Sequence, residues 1–357
     1  MKRAFLLSTL VISCLGAFAQ TAISRNTNMM RSGDVLYKLK VDYVEAGEAG
    51  QGKVWRLGQV TDDSEEFLQS IVAKNDTIAV LERGDILHYL MHGDTLFYKG
   101  SQQRRAYRLY DQERPVMQYP FQYGDSLSGN YHGTGWDENL DLSIHGWGSS
   151  VADGTGVLTD GTDTLQHITR LHLFDEYAEN YGDQAEFHIK NHRYLWFCAG
   201  YRYPVMESIQ KMLIENGETE IPTERVTYLY LPVQQYDLGE DAANDSILQQ
   251  LATTGTQRQG IENDSNGHGA NSLASINAVL SPDGTSLTVS YTLSTDTDIT
   301  LWAFDVLGNV IGTSHYQSRE AGEWQECITL SRKPIANVLM LNIQCGENTI
   351  SIKVNRK

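Results

Sequence analysis

The stretch Gly33–Tyr43, with the sequence GDVLYKLKVDY, decides the fold class of this chain. Apolar side chains occupy every second position from Val35 onward, and this alternation is typical of a β-strand with one buried face. The stretch begins with the motif Gly-Asp-x-Leu, which occurs again at Gly84, Gly93 and Gly124. Glycine permits the positive φ of a tight reversal, aspartate can hydrogen-bond the turn backbone, and leucine begins the next apolar face. The motif therefore predicts four turns that each lead into a strand.

Strand patterns continue on both sides of this stretch. Residues 20–113 alternate strongly, whereas residues 114–237 add prolines, many glycines and several tryptophans. Asn216-Gly217 lies between two apolar runs and is typical of a two-residue hairpin turn. The 19 tyrosines and 31 glycines of the chain also fit a β-rich fold. The sequence thus predicts an all-β protein with two N-terminal β-sandwich-like domains, at residues 20–113 and 114–237.

One segment in the first of these domains has a helical pattern. Within Glu65–Lys74, four apolar residues fall on one face of a helix, and Ser64 is available as its N-cap. Those four residues are Phe67, Leu68, Ile71 and Val72. The spacing predicts a short helix over Glu65–Lys74.

A change of composition separates these regions from the C-terminus. Residues 238–274 are rich in small and polar residues, with a single helical turn predicted at Ile247–Leu251, and they are expected to form an exposed, flexible linker. Beyond it, short apolar segments alternate with polar positions from Leu287 to Val354. This pattern predicts a small antiparallel sandwich of immunoglobulin-like type over residues 275–357.

The N-terminus has the pattern of a secretory signal peptide over residues 1–19. Lys2 and Arg3 precede an apolar run, and Ala17–Ala19 forms a small-x-small cleavage site. An alternative is a lipoprotein box, which would acylate Cys14 and tether the mature chain to a membrane. No later stretch has the length and hydrophobicity that a transmembrane helix needs.

The chain is strongly acidic. Its formal net charge is −17, and loss of the two basic residues of the signal peptide would bring it to about −19. Nucleic acid and anionic lipid are therefore disfavoured as partners. An excess of carboxylates on an exported protein more often maintains solubility than marks a binding site.

Three motifs near the C-terminus occur in a fixed order. Asp305–Gly308 is an Asp-x-x-Gly turn, Leu339–Gly346 is an apolar strand that ends near glycine, and Lys353-Val354 opens a basic terminus. In this order, and together with a signal peptide, they resemble the C-terminal sorting domain of the type IX secretion system. The usual Pro-Asn-Pro opening of that family is replaced here by Leu280–Asp283.

The resemblance implies export by the type IX machinery to the outer cell surface or the medium. It covers residues 275–357 alone, and an ordinary immunoglobulin-like accessory domain is the alternative. Three upstream segments are similar to parts of uncharacterised exported β-rich proteins with the same kind of tail. This similarity implies no activity. The three segments are Tyr119–Ser126, Ala152–Leu158 and Arg202–Val205.

Gly124–Leu127 also matches the nucleophile block of GDSL esterases. In that family the serine, here Ser126, attacks an acyl carbon, and a downstream Asp-x-x-His supplies the base. The intervals Asp141–His145 and Asp264–His268 are each one residue too long for that motif. Turn formation accounts for all four copies of Gly-Asp-x-Leu, so no catalytic residue is predicted, and ester hydrolysis through Ser126 is the alternative.

Histidines and cysteines give no clear site. His188 and His192 are four residues apart, but their context is that of a strand, and no glutamate stands where a zinc protease needs its base. No metal or cofactor is therefore expected. Cys198, Cys327 and Cys345 would remain after signal removal, and period-two counting places Cys327 and Cys345 on opposite faces, so a bridge between them is not expected.

Aromatic residues are dense around Trp136, Trp147, Tyr194 and Trp196. Exposed rings on a sheet can stack on sugars, while neighbouring polar side chains hydrogen-bond the hydroxyl groups. Core packing is the opposing interpretation, since large aromatic side chains are more often buried. The expectation is an exported, non-enzymatic β-protein with a structural, adhesive or glycan-binding role, and these four residues are its expected ligand contacts.

Overall fold

A computed structural model describes most of the chain from residue 22 onward. The described residues are 22–58, 64–159, 164–182, 185–217, 219–230, 235, 238, 240–253, 272–305, 310–334, 338–346 and 348–355. The expected signal peptide with Cys14, and Gly308 of the sorting motif, lie outside the described residues, and only the backbone of Lys353 is described. Strands dominate the described chain, which confirms the all-β fold class.

Thirteen strands form one N-terminal sheet. They are β1 (Val35–Val41), β2 (Gly50–Arg56), β3 (Glu66–Lys74), β4 (Thr77–Glu82), β5 (Asp85–His92), β6 (Thr95–Gln102), β7 (Ala106–Gln118), β8 (Ser126–Asp137), β9 (Leu140–Thr159), β10 (Thr164–Asn180), β11 (Glu186–Cys198), β12 (Met206–Glu215) and β13 (Thr219–Tyr230). Their order is β10-β11-β12-β13-β1-β3-β4-β5-β6-β7-β8-β9-β2, and β9 pairs with β10 as well. Twelve antiparallel strands thus close into a barrel, and β2 lies beside the ring, parallel to β9.

The expectation of two N-terminal sandwiches is wrong. The expected boundary between residues 113 and 114 falls inside β7, and Lys38 of β1 pairs with Tyr230 of β13, so that the two ends of the region meet. Alternating strands fit a sandwich or a barrel equally well, because either architecture gives each strand one buried face. The long-range pairing of β1 with β13 decides between them.

The four Gly-Asp-x-Leu turns are confirmed. The glycines have φ values of 94°, 87°, 60° and 92° at Gly33, Gly84, Gly93 and Gly124, and the motifs lead into β1, β5, β6 and β8. The leucine of each motif is buried or packs against the buried apolar cluster. A hairpin does form at Asn216-Gly217, and both residues have positive φ. Its loop has three positions rather than the expected two, because Glu215 of β12 pairs with Thr219 of β13.

The predicted helix at Glu65–Lys74 is wrong, because Glu66–Lys74 form β3. Ile71 is buried in the barrel, whereas Leu68 and Val72 point outward and are 49% and 55% exposed. Apolar residues on both faces of a strand create spacings of three and four that imitate a helical stripe. Pairing with β1 and β4, together with the β-branched side chains, favours the strand.

The inner face of the barrel carries buried charges. Lys38 and Glu207 are 1% and 0% exposed, and their Nζ and Oε2 atoms are 3.1 Å apart. Lys38 also donates to Glu82 at 2.9 Å, and the Tyr230 hydroxyl donates to Glu207 at 2.7 Å. The Nε atom of Arg193 lies 2.5 Å from Glu207 Oε1. Each buried charge therefore has a partner of opposite sign, as burial requires.

Tyrosine rings fill another part of the interior. Neighbouring rings have centroids 5.1 to 6.4 Å apart in the series Tyr89, Tyr98, Tyr110, Tyr131 and Tyr177. A Cβ atom at Gly146 would lie 2.5 Å from Tyr177 Cβ and 2.7 Å from Tyr131 Cζ. Glycine at this position of β9 thus leaves the space that the two rings occupy.

One end of the barrel is covered by the start of the described chain. Ile23 forms a β-bridge with Phe121, and both side chains are 2% exposed. The helix α1 (Arg25–Asn28) follows, with Ser24 as its N-cap. The chain then enters β1 through the first Gly-Asp-x-Leu turn.

Part of the expected linker joins this cover. Residues Ala242–Thr253 form the helix α2, and its Asn244 is 4% exposed and donates to the Thr27 carbonyl at 2.9 Å. Arg202 donates to the Asp241 carboxylate at 2.6 and 2.7 Å. This segment therefore differs from the exposed linker predicted for residues 238–274. Residues 254–271 lie outside the described part of the chain.

The C-terminal region forms two further antiparallel sheets. Its strands are β14 (Leu273–Leu280), β15 (Ser286–Leu293), β16 (Thr297–Phe304), β17 (Val310–Arg319), β18 (Gly322–Thr329), β19 (Val338–Cys345) and β20 (Asn348–Asn355). The sheets have the orders β14-β15-β18 and β17-β16-β19-β20, and they share one buried cluster drawn from residues between Leu273 and Val354. Cys327 is exposed and Cys345 buried, and both are unbonded, as the period-two count predicts.

Candidate functional site

Strands β9, β10 and β11 carry a row of aromatic side chains on the outer surface of the barrel. Phe174 lies opposite His192, and His172 lies opposite Tyr194, in the register of β10 and β11. Trp147 extends the row onto β9. This row is called the aromatic face, and its members are Trp147, Phe174, His172, His192 and Tyr194.

Alternation along β10 sets the direction of these side chains. Leu171, Leu173 and Asp175 are 0%, 5% and 4% exposed, so they form the inner face of the strand. His172 and Phe174 stand between them and therefore point outward. A strand of the closed barrel holds each ring at a fixed spacing, which gives the face a rigid base.

The rings of the aromatic face are in mutual contact. The centroid of Trp147 lies 6.0 Å from that of Phe174, and the centroid of Phe174 lies 4.8 Å from that of His192. The Tyr194 and His172 rings are parallel within 6°, with centroids 4.2 Å apart. Such distances are those of stacked and tilted aromatic pairs. The five rings thus form a continuous strip across three strands.

Trp147 is the most exposed ring of this strip. The Trp147 side chain is 42% exposed, and the other four rings are half-buried. Polar residues stand beside them in the register, with Asn130 opposite Trp147 and Gln210 opposite His192. Lys190 and Glu220 form an ion pair of 2.8 Å next to His192. Hydrogen-bonding groups therefore surround a partly exposed apolar surface.

The other end of the strip is closed by Arg170. Its guanidinium donates to Asp153 at 2.8 and 2.9 Å and lies 5.1 Å from the ring centroids of both Tyr194 and Trp55. It also donates to the Ala46 carbonyl in the segment that leads to β2. Arg170 thus fastens that segment across the outer surface of the barrel.

Trp196 lies beneath the segment that connects β1 with β2. It is 0% exposed and packs edge-to-face against Trp55, with centroids 6.3 Å apart. The expectation that Trp196 contacts a ligand is therefore wrong. Trp196 is on the outer face of β11, but the segment after β1 crosses over it, and that crossing has no signature in the β11 sequence.

The remaining expected ligand residues separate into two places. Tyr194 and Trp147 both belong to the aromatic face. Trp136 is 40% exposed near the far end of β8, six residues beyond Asn130, the register partner of Trp147. At about 3.3 Å per residue, this offset places Trp136 roughly 20 Å from Trp147 along the strand. The structure therefore places two of the four expected residues on the aromatic face, while Trp196 contacts Tyr194 from a buried position, with ring centroids 6.2 Å apart.

His172, His192 and Phe174 are the members that sequence reasoning missed as ligand residues. The alternation His172-Leu173-Phe174 indicates that the histidine and the phenylalanine share a strand face. What the sequence lacks is the register that sets this face against His192 and Tyr194. Cross-strand register depends on the whole sheet and is not encoded in either strand alone.

The two histidines of the aromatic face are hydrogen-bonded to each other. His172 Nε2 and His192 Nδ1 are 3.0 Å apart. Burial lowers the pKa of His172 to about 4 and also lowers the pKa of His192. Both imidazoles are therefore neutral at pH 7, and the strip carries little charge.

His188 and His192, the pair whose spacing suggested metal binding, point to different partners. His188 is exposed and lies 3.3 Å from Glu186, while His192 turns toward His172. Within the described residues, no group of three or more potential metal ligands comes together.

Ser126, the nucleophile of the esterase alternative, begins β8 at an exposed turn. Asp125 accepts a hydrogen bond from the Gln122 backbone N–H at 2.9 Å, and Gly124 donates to the Ala152 carbonyl at 2.9 Å. Among the described contacts Ser126 has no histidine partner. The geometry is that of the repeated turn, and the other three copies of the motif share it.

Residues of the sorting motif have structural surroundings in the C-terminal sheets. Asp305 is 0% exposed and pairs with Arg332. Gly346 has a φ of 59° in the turn between β19 and β20, and Val354 is 3% exposed in the shared core. The Lys353 backbone pairs with that of Met340.

Comparisons with known proteins give no family for this chain. No protein-family model matches it, and a search of curated proteins returns no match. Among the described residues, no helix has the length and apolar character to cross a membrane.

Proposed function

We propose that this protein is an exported, non-enzymatic binding protein whose barrel holds a glycan on the aromatic face. The observation that carries the proposal is the continuous strip of five contacting rings on the outer surface of three paired strands. The C–H faces of a sugar ring stack on aromatic rings, and its hydroxyl groups need hydrogen-bonding partners at the rim. Both kinds of group are adjacent here.

The exposure of Trp147 supports binding over core packing. Tryptophan is among the most buried residue types on average, yet this ring is 42% exposed while it contacts a second aromatic ring. Exposed aromatic residues on a rigid surface supply contact area at little conformational cost. A ligand that covers Trp147 and Phe174 would bury apolar area that the free protein leaves in water.

The charge of the chain favours a neutral glycan. A formal net charge of −17 repels sulfated and uronate-rich polysaccharides at long range. Beside the face, Lys190 has two carboxylates near it, Glu220 and Glu176, so this side of the surface also favours a neutral ligand over an anionic one. Neutral oligosaccharides such as cellohexaose and chitohexaose are therefore suitable first probes.

The test measures retention of the mature protein on immobilised cellohexaose, chitohexaose and other neutral oligosaccharides. Trp147→Ala should weaken binding by at least about tenfold, because a tryptophan that becomes covered by its partner is a typical hot spot. Trp136→Ala is the matched control, since Trp136 is similarly exposed but lies elsewhere on the barrel. Equal loss in both variants, or no retention of the unmodified protein, would contradict the proposal.

Delivery to the outer surface by a type IX machinery is the second part of the proposal. It rests on the motif resemblance over residues 275–357 and is supported by the strand orders β14-β15-β18 and β17-β16-β19-β20, which suit an immunoglobulin-like sandwich. Deleting Ser275–Lys357 should leave the protein in the periplasm on cell fractionation. The Trp147→Ala chain, which keeps the tail, is the export control. Unchanged surface delivery of the deleted chain would refute this part.

A further inference from the structure

The hydrogen bond between His172 and His192 has an unusual geometry for two side chains on a protein surface. The ring planes are 9° apart, and the centroids are 5.2 Å apart. With only 3.0 Å between Nε2 and Nδ1, rings at that centroid distance must meet edge to edge in nearly one plane. The bonding nitrogens therefore face each other, and one of them carries the hydrogen while the other accepts it.

The hydrogen bond between the two imidazoles limits how many protons the pair can hold. With both rings neutral, a single N–H fills the space between the nitrogens. A first added proton enters at a distant ring nitrogen and preserves the bond. A second added proton would place two N–H groups and two positive charges against each other at 3.0 Å, with no acceptor between them. The doubly charged pair must therefore separate.

Both histidines support other rings of the aromatic face. Tyr194 stacks on His172 at 4.2 Å, and Phe174 contacts His192 at 4.8 Å. Phe174 in turn contacts Trp147. Separation of the imidazoles would thus move the rings on either side of them.

The charged groups near the pair come from four strands. Asp153 of β9 favours protonation of His172, and Arg170 of β10 opposes it. Asp175 of β10 and Glu220 of β13 favour protonation of His192, whereas Lys190 of β11 opposes it. Arg170 and Lys190 already have carboxylate partners in Asp153 and Glu220. Charges of both signs thus surround the two histidines, and burial is the main influence on the pKa of each ring.

We propose that the His172–His192 pair is a proton-sensitive latch that assembles the aromatic face near neutral pH and disassembles it in acid. The binding consequence rests on the proposed glycan function, whereas the latch itself does not. In the folded protein the pKa of His172 lies near 4, against an ordinary value of 6.5. Acid therefore acts on the latch as the pH falls below the ordinary histidine range toward 4.

The first experiment tests the latch without any ligand. Ring-nitrogen and aromatic NMR signals of the mature protein are followed from pH 7 to about 3, which is roughly one unit below the His172 pKa of about 4, so that His172 becomes almost fully charged. We expect fixed tautomers for His172 and His192 at pH 7, and coupled changes in the Tyr194 and Phe174 ring signals as the two histidines titrate. Near-UV circular dichroism of the buried tryptophans should stay constant over that interval.

His192→Gln removes one titrating ring and keeps a neutral hydrogen-bonding side chain, so two positive charges can no longer meet. The Tyr194 signals should then shift only as His172 gains its own proton, without the change that separation of the two rings produces in the unmodified protein. His188→Gln, on the same strand but outside the face, should behave like the unmodified protein. Two histidines that titrate independently with ordinary pKa values would overturn the latch. So would a Tyr194 ring that does not respond, or global unfolding over the same pH interval.

The second experiment measures binding to the neutral oligosaccharide panel over the same pH interval. Retention of the unmodified protein should fall by about tenfold or more, while retention of His192→Gln should change by less than about twofold. If the panel retains nothing at pH 7, the glycan proposal fails and the NMR result alone decides the latch. If binding is independent of pH while the NMR transition occurs, the latch does not regulate binding.

Discussion

The two sides of strands β9, β10 and β11 use alternate residues for different purposes. On the inner side, Asp175 of β10 and Arg193 of β11 form ion pairs with Arg114 and Glu207. On the outer side, Phe174 and its neighbours remain partly exposed, and their contacts are between rings, through one imidazole hydrogen bond and with the Arg170 guanidinium. Because side chains alternate between the two faces, one strand can contribute to stability and to binding at the same time. Inner substitutions should therefore alter folding, and outer ones should alter recognition.

The largest effect is expected from Glu207→Ala, which leaves Arg193 without its buried partner and Lys38 with Glu82 alone. Loss of one member of a buried pair should lower the free energy of unfolding by about 3–5 kcal/mol. Urea denaturation monitored by tryptophan fluorescence measures the change. Glu224→Ala, on the exposed part of β13, is the control and should stay within about 0.5 kcal/mol. Equal values for both variants would contradict a charged barrel interior.

Acid should lower the free energy of unfolding because it protonates Glu207. Burial alone would raise the pKa of Glu207, but Arg193 and Lys38 outweigh burial and lower the pKa to about 2 from 4.5. A lowered folded-state pKa contributes stability above pH 4.5 and loses it as the pH falls toward 2, by about 3 kcal/mol in all. The stability difference between the unmodified protein and Glu207→Ala should therefore shrink over that interval in pH-dependent denaturation. A constant difference would show that Glu207 does not hold this charge.

Gly146→Ala tests the packing of the inner side. The added methyl group would lie 2.5 Å from Tyr177 Cβ and 2.8 Å from the Glu176 carbonyl, so neighbouring groups must shift. Overpacking of this kind should lower the free energy of unfolding by about 1–3 kcal/mol. Ser149→Ala, on the outer side of the same strand, should change it by less than about 0.5 kcal/mol. A neutral Gly146→Ala would mean that the tyrosine rings are not packed against β9.

The smallest stability effect is expected from Trp147→Ala, even though it should abolish most glycan retention. The ring is 42% exposed and is not part of a buried cluster, so thermal unfolding should change by no more than about 1 kcal/mol in free energy. Trp55→Ala is the contrast, because that ring is 4% exposed against Trp196 and its loss should lower stability by about 3–5 kcal/mol. Similar losses of stability for both variants would contradict the assignment of Trp147 to an exposed surface and of Trp55 to a buried one.

Local chemistry made several features of the fold predictable. Gly-Asp-x-Leu specifies a turn wherever it occurs, because the glycine alone accepts the positive φ and the leucine starts the next buried face. Asn216-Gly217 specifies its hairpin because asparagine tolerates a positive φ better than most residues and glycine adopts it freely. The helix expected at Glu65–Lys74 failed where local chemistry was ambiguous, since Phe67, Ile71, Leu68 and Val72 serve two faces of β3 and imitate one helical stripe.

The candidate site was predictable only in part. Trp147 and Tyr194 were named from their residue type, but their membership in one strip depends on Phe174, His172 and His192, which the cross-strand register brings between them. Trp196 was named on the same grounds and is buried, because a segment distant in sequence covers it. Residue type indicates what a side chain can do, whereas exposure depends on which other parts of the chain pack against it.

The sequence by itself determined the all-β class, the turns and the alternation that gives each strand an inner and an outer face, because these depend on backbone conformations and side-chain directions of adjacent residues. Only the tertiary structure decided that β1 meets β13 to close a barrel, that Arg170 fastens the cover over Trp196, and that two histidines share a hydrogen bond. Each of these requires segments distant in sequence to pair in one register. The free energy of that pairing depends on interactions throughout the sheet, which no single stretch of sequence specifies.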